Sequence, residues 1–329
     1  MDFRDFILRK IVYLFITLFA IITFNFFLFR ILPGDPARAF TKGLNADMVF
    51  LIREKFHLND PPLTQFYYYL VQVFTGDFGI SSSLFPRADI GDILWSRVVN
   101  TVILVGIGTA LAIYLGVTLG KYAAWRRGRA TDTIGMTFAL TFYSMPTFLF
   151  ALVLLMVFAG TGWFPLRGNV GELPFIGWVD PYEMTLWERF ISRGYHLILP
   201  VIAFTLEIMA EFAIIMRNSL TDVLTEDYIT TARAKGVPNS MILKDHAMRN
   251  ALLPVVTVMA ISIGWVLGGT IMVELVFSYE GLGKLTWDAV GARDYPILQA
   301  LFLIMAIAVL VANLVADIVY TYLDPRVTI

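Results

Sequence analysis

From Val102 to Gly120 the chain reads Val-Ile-Leu-Val-Gly-Ile-Gly-Thr-Ala-Leu-Ala-Ile-Tyr-Leu-Gly-Val-Thr-Leu-Gly, without a charged side chain, and shortly afterwards Trp125-Arg126-Arg127-Gly128-Arg129. An α-helix rises about 1.5 Å per residue and a bilayer core is about 30 Å thick, so roughly 20 such residues cross it. The apolar run, extended to Val98–Trp125, is therefore a membrane span. The arginine cluster that closes it marks a cytoplasmic turn, because short loops rich in Lys and Arg stay inside.

Five further segments meet the same test: Leu8–Ile31, Thr131–Gly160, Tyr195–Met216, Asn250–Phe277 and Pro296–Tyr322. The first follows Arg4, Arg9 and Lys10 as a signal peptide would. Its apolar run is too long for one and no small-residue cleavage site follows, so it reads as a retained helix. The N-terminus and the loop holding Arg233, Lys235, Lys244 and Arg249 are basic, like the Arg126–Arg129 turn. The alternate segments, Leu32–Arg97, Thr161–Gly194 and Ser278–Tyr295, carry most of the acids. The expectation is an all-α, multi-pass protein of the cell membrane with six transmembrane helices and both termini in the cytoplasm.

Composition agrees. Hydrophobic residues make up 58% of the 329 residues and charged residues 16%, with 27 Phe and 13 Met and a mean hydropathy of +0.71. A soluble domain has roughly 25% charged residues and could not bury that much apolar surface. The balance of 25 basic to 26 acidic residues excludes a nucleic-acid partner held by bulk charge. The absence of Cys removes disulfides, thiolate metal sites and thiol nucleophiles, and His57, His196 and His246 are too scattered to form a metal cluster. No cofactor or metal is expected.

Three units follow: an N-terminal helix (1–31), an extracytoplasmic segment (32–97) and a five-helix core (98–329). The 32–97 segment has its own helical patterning at Met48–Ile52 and Gln65–Leu70, punctuated by Pro33-Gly34-Asp35-Pro36 and Asn59-Asp60-Pro61-Pro62. It is too polar to span and too patterned for a linker, so a small helical cap is expected.

The cytoplasmic loop 219–249 is the most informative stretch. It includes Thr230-Thr231-Ala232-Arg233-Ala234-Lys235-Gly236-Val237-Pro238-Asn239-Ser240 and, further on, His246-Ala247-Met248-Arg249-Asn250-Ala251-Leu252-Leu253-Pro254. It reads as a helix, a break and a second helix. Gly236 can adopt the left-handed closing conformation, Pro238 cannot continue the helix, and Asn239 or Ser240 can cap the next. Ala232 and Ala234 allow close approach by a partner, and Arg233 and Lys235 offer charge. Helix physics alone leaves two readings equally open: an amphipathic loop on the lipid surface or a docking element for another protein.

These strings resemble the coupling loop of ABC-importer permeases, and more narrowly the dipeptide/oligopeptide/nickel branch, where a position like Thr230 commonly replaces the first Glu of the general motif. The resemblance extends along nearly the whole chain, through Leu32–Pro36, Gly76-Asp77-Phe78-Gly79-Ile80-Ser81, Ser144-Met145-Pro146-Thr147-Phe148, Glu274–Gly283, Asp294-Tyr295-Pro296, Asn313–Asp317 and Leu323–Arg326. The long first outer segment is similar to that of the B-type permease rather than its C-type partner. The resemblance implies a type I importer (MetI-like) permease fold. It also implies that residues Thr231, Ala232, Arg233, Ala234, Lys235, Gly236, Val237 and Pro238 seat in a cleft of a cytosolic ATPase and move as a rigid lever. The implied partners are a second, C-type permease, two ABC ATPase subunits and an extracytoplasmic binding protein. The implied cargo is short peptides, with oligosaccharides, glutathione or nickel chelates as alternatives.

A nucleotide-binding loop of the Gly-x-x-x-x-Gly-Lys-Ser/Thr type is not encoded. Its nearest approaches, Gly120-Lys121-Tyr122 and Gly283-Lys284-Leu285, lack the hydroxyl that holds magnesium. The chain is read as non-catalytic, its energy supplied by another subunit.

Glu207 and Glu211 lie four residues apart in the fourth span and share a helix face. A charge at mid-membrane costs about 2.5–3.5 kcal/mol, which makes an idle one improbable. They either line the path and attract a cationic group of the cargo, or form a structural pair neutralised by protonation, a polar neighbour or Arg217. An autonomous secondary transporter or channel using these two carboxylates is the rival class; an intramembrane enzyme lacks its constellation of residues. Pro146, beside Ser144 in the third span, deletes a backbone hydrogen bond and should kink that helix at the path. Glu274 is expected to pair with Arg97 or Arg293, and Asp317 with Arg249 or Arg326. Gly264, Gly268 and Gly269 give the fifth span a small face suited to a permease–permease seam or to packing within one subunit. Trp163, Phe164, Trp178 and Trp187 fit an outer interfacial belt.

Overall fold

The structure, a computed structural model, describes residues 3–31, 59–159, 186–265 and 270–323, with positions 50, 54 and 57. Its elements are α1 (Phe3–Ile31), α2 (Pro62–Thr75), α3 (Ile90–Trp125), α4 (Ala130–Ser144), α5 (Thr147–Leu154, extended by a π-helical turn Leu155–Ala159) and α6 (Leu186–Val223). After these come α7 (Asp227–Ala234), α8 (Asn239–Met241), a π-helical turn (Ile242–Ala247), α9 (Met248–Trp265), α10 (Ile271–Val276), α11 (Leu282–Ala292) and α12 (Tyr295–Leu323). Among the described residues the only β pairing is an isolated bridge between Ile80 and Asp89.

Among the described residues, four helices are long and apolar enough to cross a membrane: α1 from Leu8, α3, α6 from Gly194, and α12 to Val315. The third expected span is not one kinked helix but two separate helices. The arms Ala130–Ser144 and Thr147–Phe158 meet at 103°. Met145 is extended (φ −84°, ψ 133°), and Pro146 has no N–H to continue the α4 ladder and stands at the cap of α5. The expected Asn250–Phe277 span corresponds to α9 and α10, on either side of 266–269, which lie outside the described residues. With 18 residues, α9 is about 27 Å long.

The central seam is α3 against α6. Gly108, Ala112, Gly116 and Gly120, spaced by four, form one buried face of α3. A Cβ on Gly116 would lie 2.5 Å from the Met209 carbonyl oxygen and 2.7 Å from Phe212 Cβ, so the backbones meet closer than any side chain permits. Against this seam pack Met209, Phe212, Met216 and Leu220 from α6, and the same core takes in Ile229, Ile242 and Ala247 from the loop that follows and Ala251 from α9.

Two buried carboxylates organise the end remote from the Arg126–Arg129 turn. Asp294 caps α12, its Oδ1 accepting from Ile297 N–H. The same carboxylate accepts from Ser81 Oγ at 2.7 Å and from the backbone N–H groups of Ser82, Ser83 and Leu84 at 3.1, 2.8 and 3.0 Å. Two strings far apart in sequence, Gly76–Ser81 and Asp294–Pro296, are thereby one structural unit. Burial pushes the Asp294 carboxyl up, but the donors from Ser81, Leu84, Ser83 and Ser82 outweigh it and hold it below the usual carboxylate range.

Glu274 is fully buried and makes no direct ion pair with Arg97 or Arg293, correcting the expectation. It accepts from Thr101 Oγ1 (2.9 Å) and Lys284 N–H (2.9 Å), at the first turn of α11, where unsatisfied amides and the helix dipole favour an anion. Thr101 Oγ1 in turn accepts from Leu282 N–H (2.8 Å). A Cβ on Gly281 would lie 2.5 Å from Glu274 Cδ, which explains the glycine in the Glu280-Gly281-Leu282-Gly283 string. Arg97 pairs with Glu280 instead. Asp317 pairs with Lys10 at 2.6 Å, joining the first and last helices; Arg326, one of its two expected partners, lies outside the described residues.

Candidate functional site

The loop after α6 folds as a stiff elbow. Asp227 in the first turn of α7 and Arg233 in its last complement the helix dipole. Gly236 stands at φ +78°. Its N–H donates to Arg233 C=O (2.9 Å) and Val237 N–H donates to Ala232 C=O (3.2 Å), the paired bonds of a Schellman closure. Pro238, not Asn239 or Ser240, occupies the cap of the next helix, and no side-chain cap bond forms there.

One face of the elbow is rooted in the core. Ile229, Ala232, Ile242 and Ala247 are buried together beneath α6 and α9, and Tyr228 Oη accepts from Asn250 Nδ2 at 2.8 Å. Ala232 thus faces the chain's own interior and is not offered for close approach. The other face, with Thr230, Thr231, Arg233, Ala234, Lys235, Gly236 and Pro238, is exposed, and Val237 is half-buried. The arrangement can transmit a push: a short rigid helix with an open face, wedged by its apolar face into the helix that follows the α3–α6 seam.

Of the candidate path residues, Ser144 and Pro146 stand at the break in the third span, and Glu207 of α6 is tied to it. Thr147, the first residue of α5, donates its hydroxyl to Glu207 Oε1 on α6. Ser144 and Pro146 are exposed at the bend, and Ser144 lines an open depression with Thr137, Leu140, Thr141 and Met145. Glu211, one turn along α6, is exposed. Arg217 does not neutralise either glutamate. It makes a two-pronged pair with Asp132, Nε to Oδ1 at 2.6 Å and Nη2 to Oδ2 at 2.8 Å, and Asp132 also accepts from Gly128 N–H at 3.0 Å. α6 therefore ties the broken span at two polar points, one on each side of the bend.

Gly264 lies near the end of α9, whereas Gly268 and Gly269, like Trp163, Phe164, Trp178 and the Pro33–Pro36 string, lie outside the described residues. Sequence reading missed the Gly108–Gly120 stripe, although its spacing of four was visible, and missed Asp132 and Thr147, whose partners only tertiary structure supplies.

The model of the family described as binding-protein-dependent transport system inner membrane component matches residues 116–329, and that of the corresponding N-terminal component matches 3–90. The chain is similar to the glutathione transport system permease protein GsiC of Salmonella typhi, of Salmonella typhimurium (strain LT2) and of Escherichia coli (strain K12). Each is 34% identical over 324 residues, covering 98% of both chains.

Proposed function

We propose, from the premise that this chain belongs to the binding-protein-dependent transport system inner membrane components, a working arrangement for it as a multi-pass permease subunit of an ABC importer. The Arg126–Arg129 turn, the elbow and the N-terminus face the cytoplasm, in keeping with their Lys and Arg, and six spans bring the C-terminus to the same side. The exposed face of α7 and the Lys235–Pro238 turn seat in a cytosolic ATPase, one of two that hydrolyse the nucleotide. A second, C-type permease supplies the other half of the path, and an extracytoplasmic binding protein delivers cargo to it. The cargo is a short peptide, and the similarity to glutathione permeases favours a tripeptide-sized one.

The observation that carries this reading is the elbow, closed at Gly236 and wedged at Ile229 and Ala232 into the core beneath α6. An amphipathic loop held on lipid has no need of such a seat, whereas a lever does. The test is uptake into vesicles holding this chain alone, or this chain with a C-type permease, two ATPases and the binding protein. Uptake of labelled di-, tri- and oligopeptides that needs ATP and every subunit is the expected result. Uptake by the chain alone, driven by an ion gradient, overturns it in favour of a secondary transporter.

A further inference from the structure

A cavity of about 150 Å³ lies where the end of α1 remote from the N-terminus meets α2 and the start of α12. Phe29 and Arg30 of α1, Gln72 of α2, Asp77 just beyond it, and Ala300 and Leu303 of α12 contribute to its walls. The three helices are fixed beside it. Phe66 of α2 packs on Phe26 of α1 at 5.2 Å, and Asn25 Nδ2 donates to Tyr69 Oη at 3.1 Å and to Gln299 C=O at 2.9 Å. Gly76 and Gly79, at φ +74° and +76°, bend the chain on either side of Asp77 and keep it on the cavity wall.

Among the described residues, Arg30 is the one cation on these walls and Asp77 the one anion, and they are not paired with each other. The Arg30 guanidinium lies over the Phe26 ring at 5.2 Å and meets no described carboxylate. Asp77 accepts from Gly79 N–H at 2.9 Å through Oδ1 alone. A ligand that satisfies both carries an anionic group and an ammonium on one small frame. The volume is below the roughly 300–1,000 Å³ of a site for a whole small molecule, so the cavity fits one end of a larger one. Its level points the same way: α1 and α12 both cross the bilayer, and the cavity lies at their ends, where headgroups stand. Phe29 of the wall also touches Phe302 at 5.9 Å. Phe302, about two turns further into the membrane along α12, is 44% exposed and offers a surface to an acyl chain.

We infer that this cavity is a binding site for the headgroup of an aminophospholipid. The phosphate sits on Arg30, whose forked guanidinium suits phosphate oxygens, and the ammonium donates to Asp77 and to the Gln72 side-chain carbonyl. The acyl chains leave past Phe302. A choline headgroup has no N–H to give Asp77, and a glycerol headgroup has no cation, so both are held less well. The bound headgroup bridges α1, α2 and α12 beside the Asp294 clamp.

The test gives the detergent-purified full chain an equimolar mixture of phosphatidylethanolamine, phosphatidylcholine and phosphatidylglycerol with identical acyl chains. Native mass spectrometry counts the lipids retained. The ethanolamine lipid should be held up to about fivefold over each of the others, which is what one exposed ion pair supplies. Asp77→Asn, which keeps an Oδ1 acceptor for Gly79 N–H, should erase that preference, and Gln72→Ala should reduce it. The readout is a ratio within one sample, so poor folding of a variant lowers all three lipids together and does not mimic the result. Free phosphoethanolamine should displace the ethanolamine lipid. Equal retention of the three lipids by the parent overturns the inference, as does an unchanged ratio in Asp77→Asn. Displacement by dialanine but not by phosphoethanolamine also overturns it, and would make the cavity a site for a free peptide zwitterion.

Discussion

Replacing Asp294 by Ala would dismantle the clamp that joins Gly76–Leu84 to the start of α12. Besides the cap bond to Ile297 N–H, four donors across the clamp would lose their acceptor: Ser81 Oγ and the N–H groups of Ser82, Ser83 and Leu84. A hydrogen bond to a charged group contributes about 1.5–3 kcal/mol, and a buried donor left unpaired costs its desolvation. Ser83 and Leu84 are partly open and can take water, but Ser81 and Ser82 are buried. Those two set a floor of about 3 kcal/mol, with about 5 kcal/mol the upper end for breaking a buried charged network. Asp294→Asn keeps a carbonyl oxygen for the four donors that share Oδ2 but removes the charge and turns its NH2 group against Ile297 N–H, so it should cost less than Asp294→Ala while remaining destabilising.

The pH dependence has a definite sign. The folded carboxyl is held below its unfolded value, so the clamp contributes in full above about pH 3.9 and is lost as the pH falls through the lower folded value. The assay is thermal unfolding of the detergent-solubilised protein, parent against variant, from neutral pH down to the acid limit. The gap between the two should stay constant to about pH 5 and close only below about pH 4. An Asp294→Asn protein as stable as the parent at neutral pH, or a gap that closes above pH 5, would refute the reasoning.

Three further outcomes are expected. Gly116→Leu should abolish the monodisperse protein in size-exclusion chromatography by forcing α3 off α6, while Gly106→Ala, with open space around its Cβ, should leave the yield unchanged. Asp132→Ala should destabilise by about 1–3 kcal/mol, because Arg217 loses a two-pronged partner but, being partly exposed, can still reach water, and Asp132→Leu/Arg217→Met should recover part of that loss in the same unfolding assay. Glu207→Gln keeps an acceptor for Thr147 but removes the charge, so transport of cargo with a free amino group should fall relative to an N-acetylated analogue in competition uptake; equal loss for both would remove the amine-attraction role.

The membrane-crossing nature of α1, α3, α6 and α12 was legible because a run such as Val102–Gly120 has one physical explanation in water and lipid. The left-handed Gly236 was legible because closure of a helix is a local event. The break of the third span was half legible. Pro146 announced a lost hydrogen bond, but the extended Met145 and the 103° bend depend on α6, which ties Asp132 on one side and Thr147 on the other. The partners of the buried charges were the least legible. Pairing Glu274 with Arg97 followed charge logic, whereas the fold satisfies Glu274 with Thr101 and the amides of α11, groups no sequence pattern marks as partners. Ala232 looked free because alanine is small, and only the packing with Ile229 and Ile242 shows it turned inward.

The central claim is that the open face of the elbow receives mechanical work from a nucleotide-hydrolysing subunit. Single Cys at Ala234 and at Ala232, in a chain that has none of its own, tests it with a short thiol crosslinker in the assembled importer. Ala234→Cys should crosslink to an ATPase subunit with a yield that changes when nucleotide is added, and the inward Ala232→Cys should not. Failure of Ala234→Cys to reach any cytosolic protein, with the label found among lipid headgroups, would contradict the account.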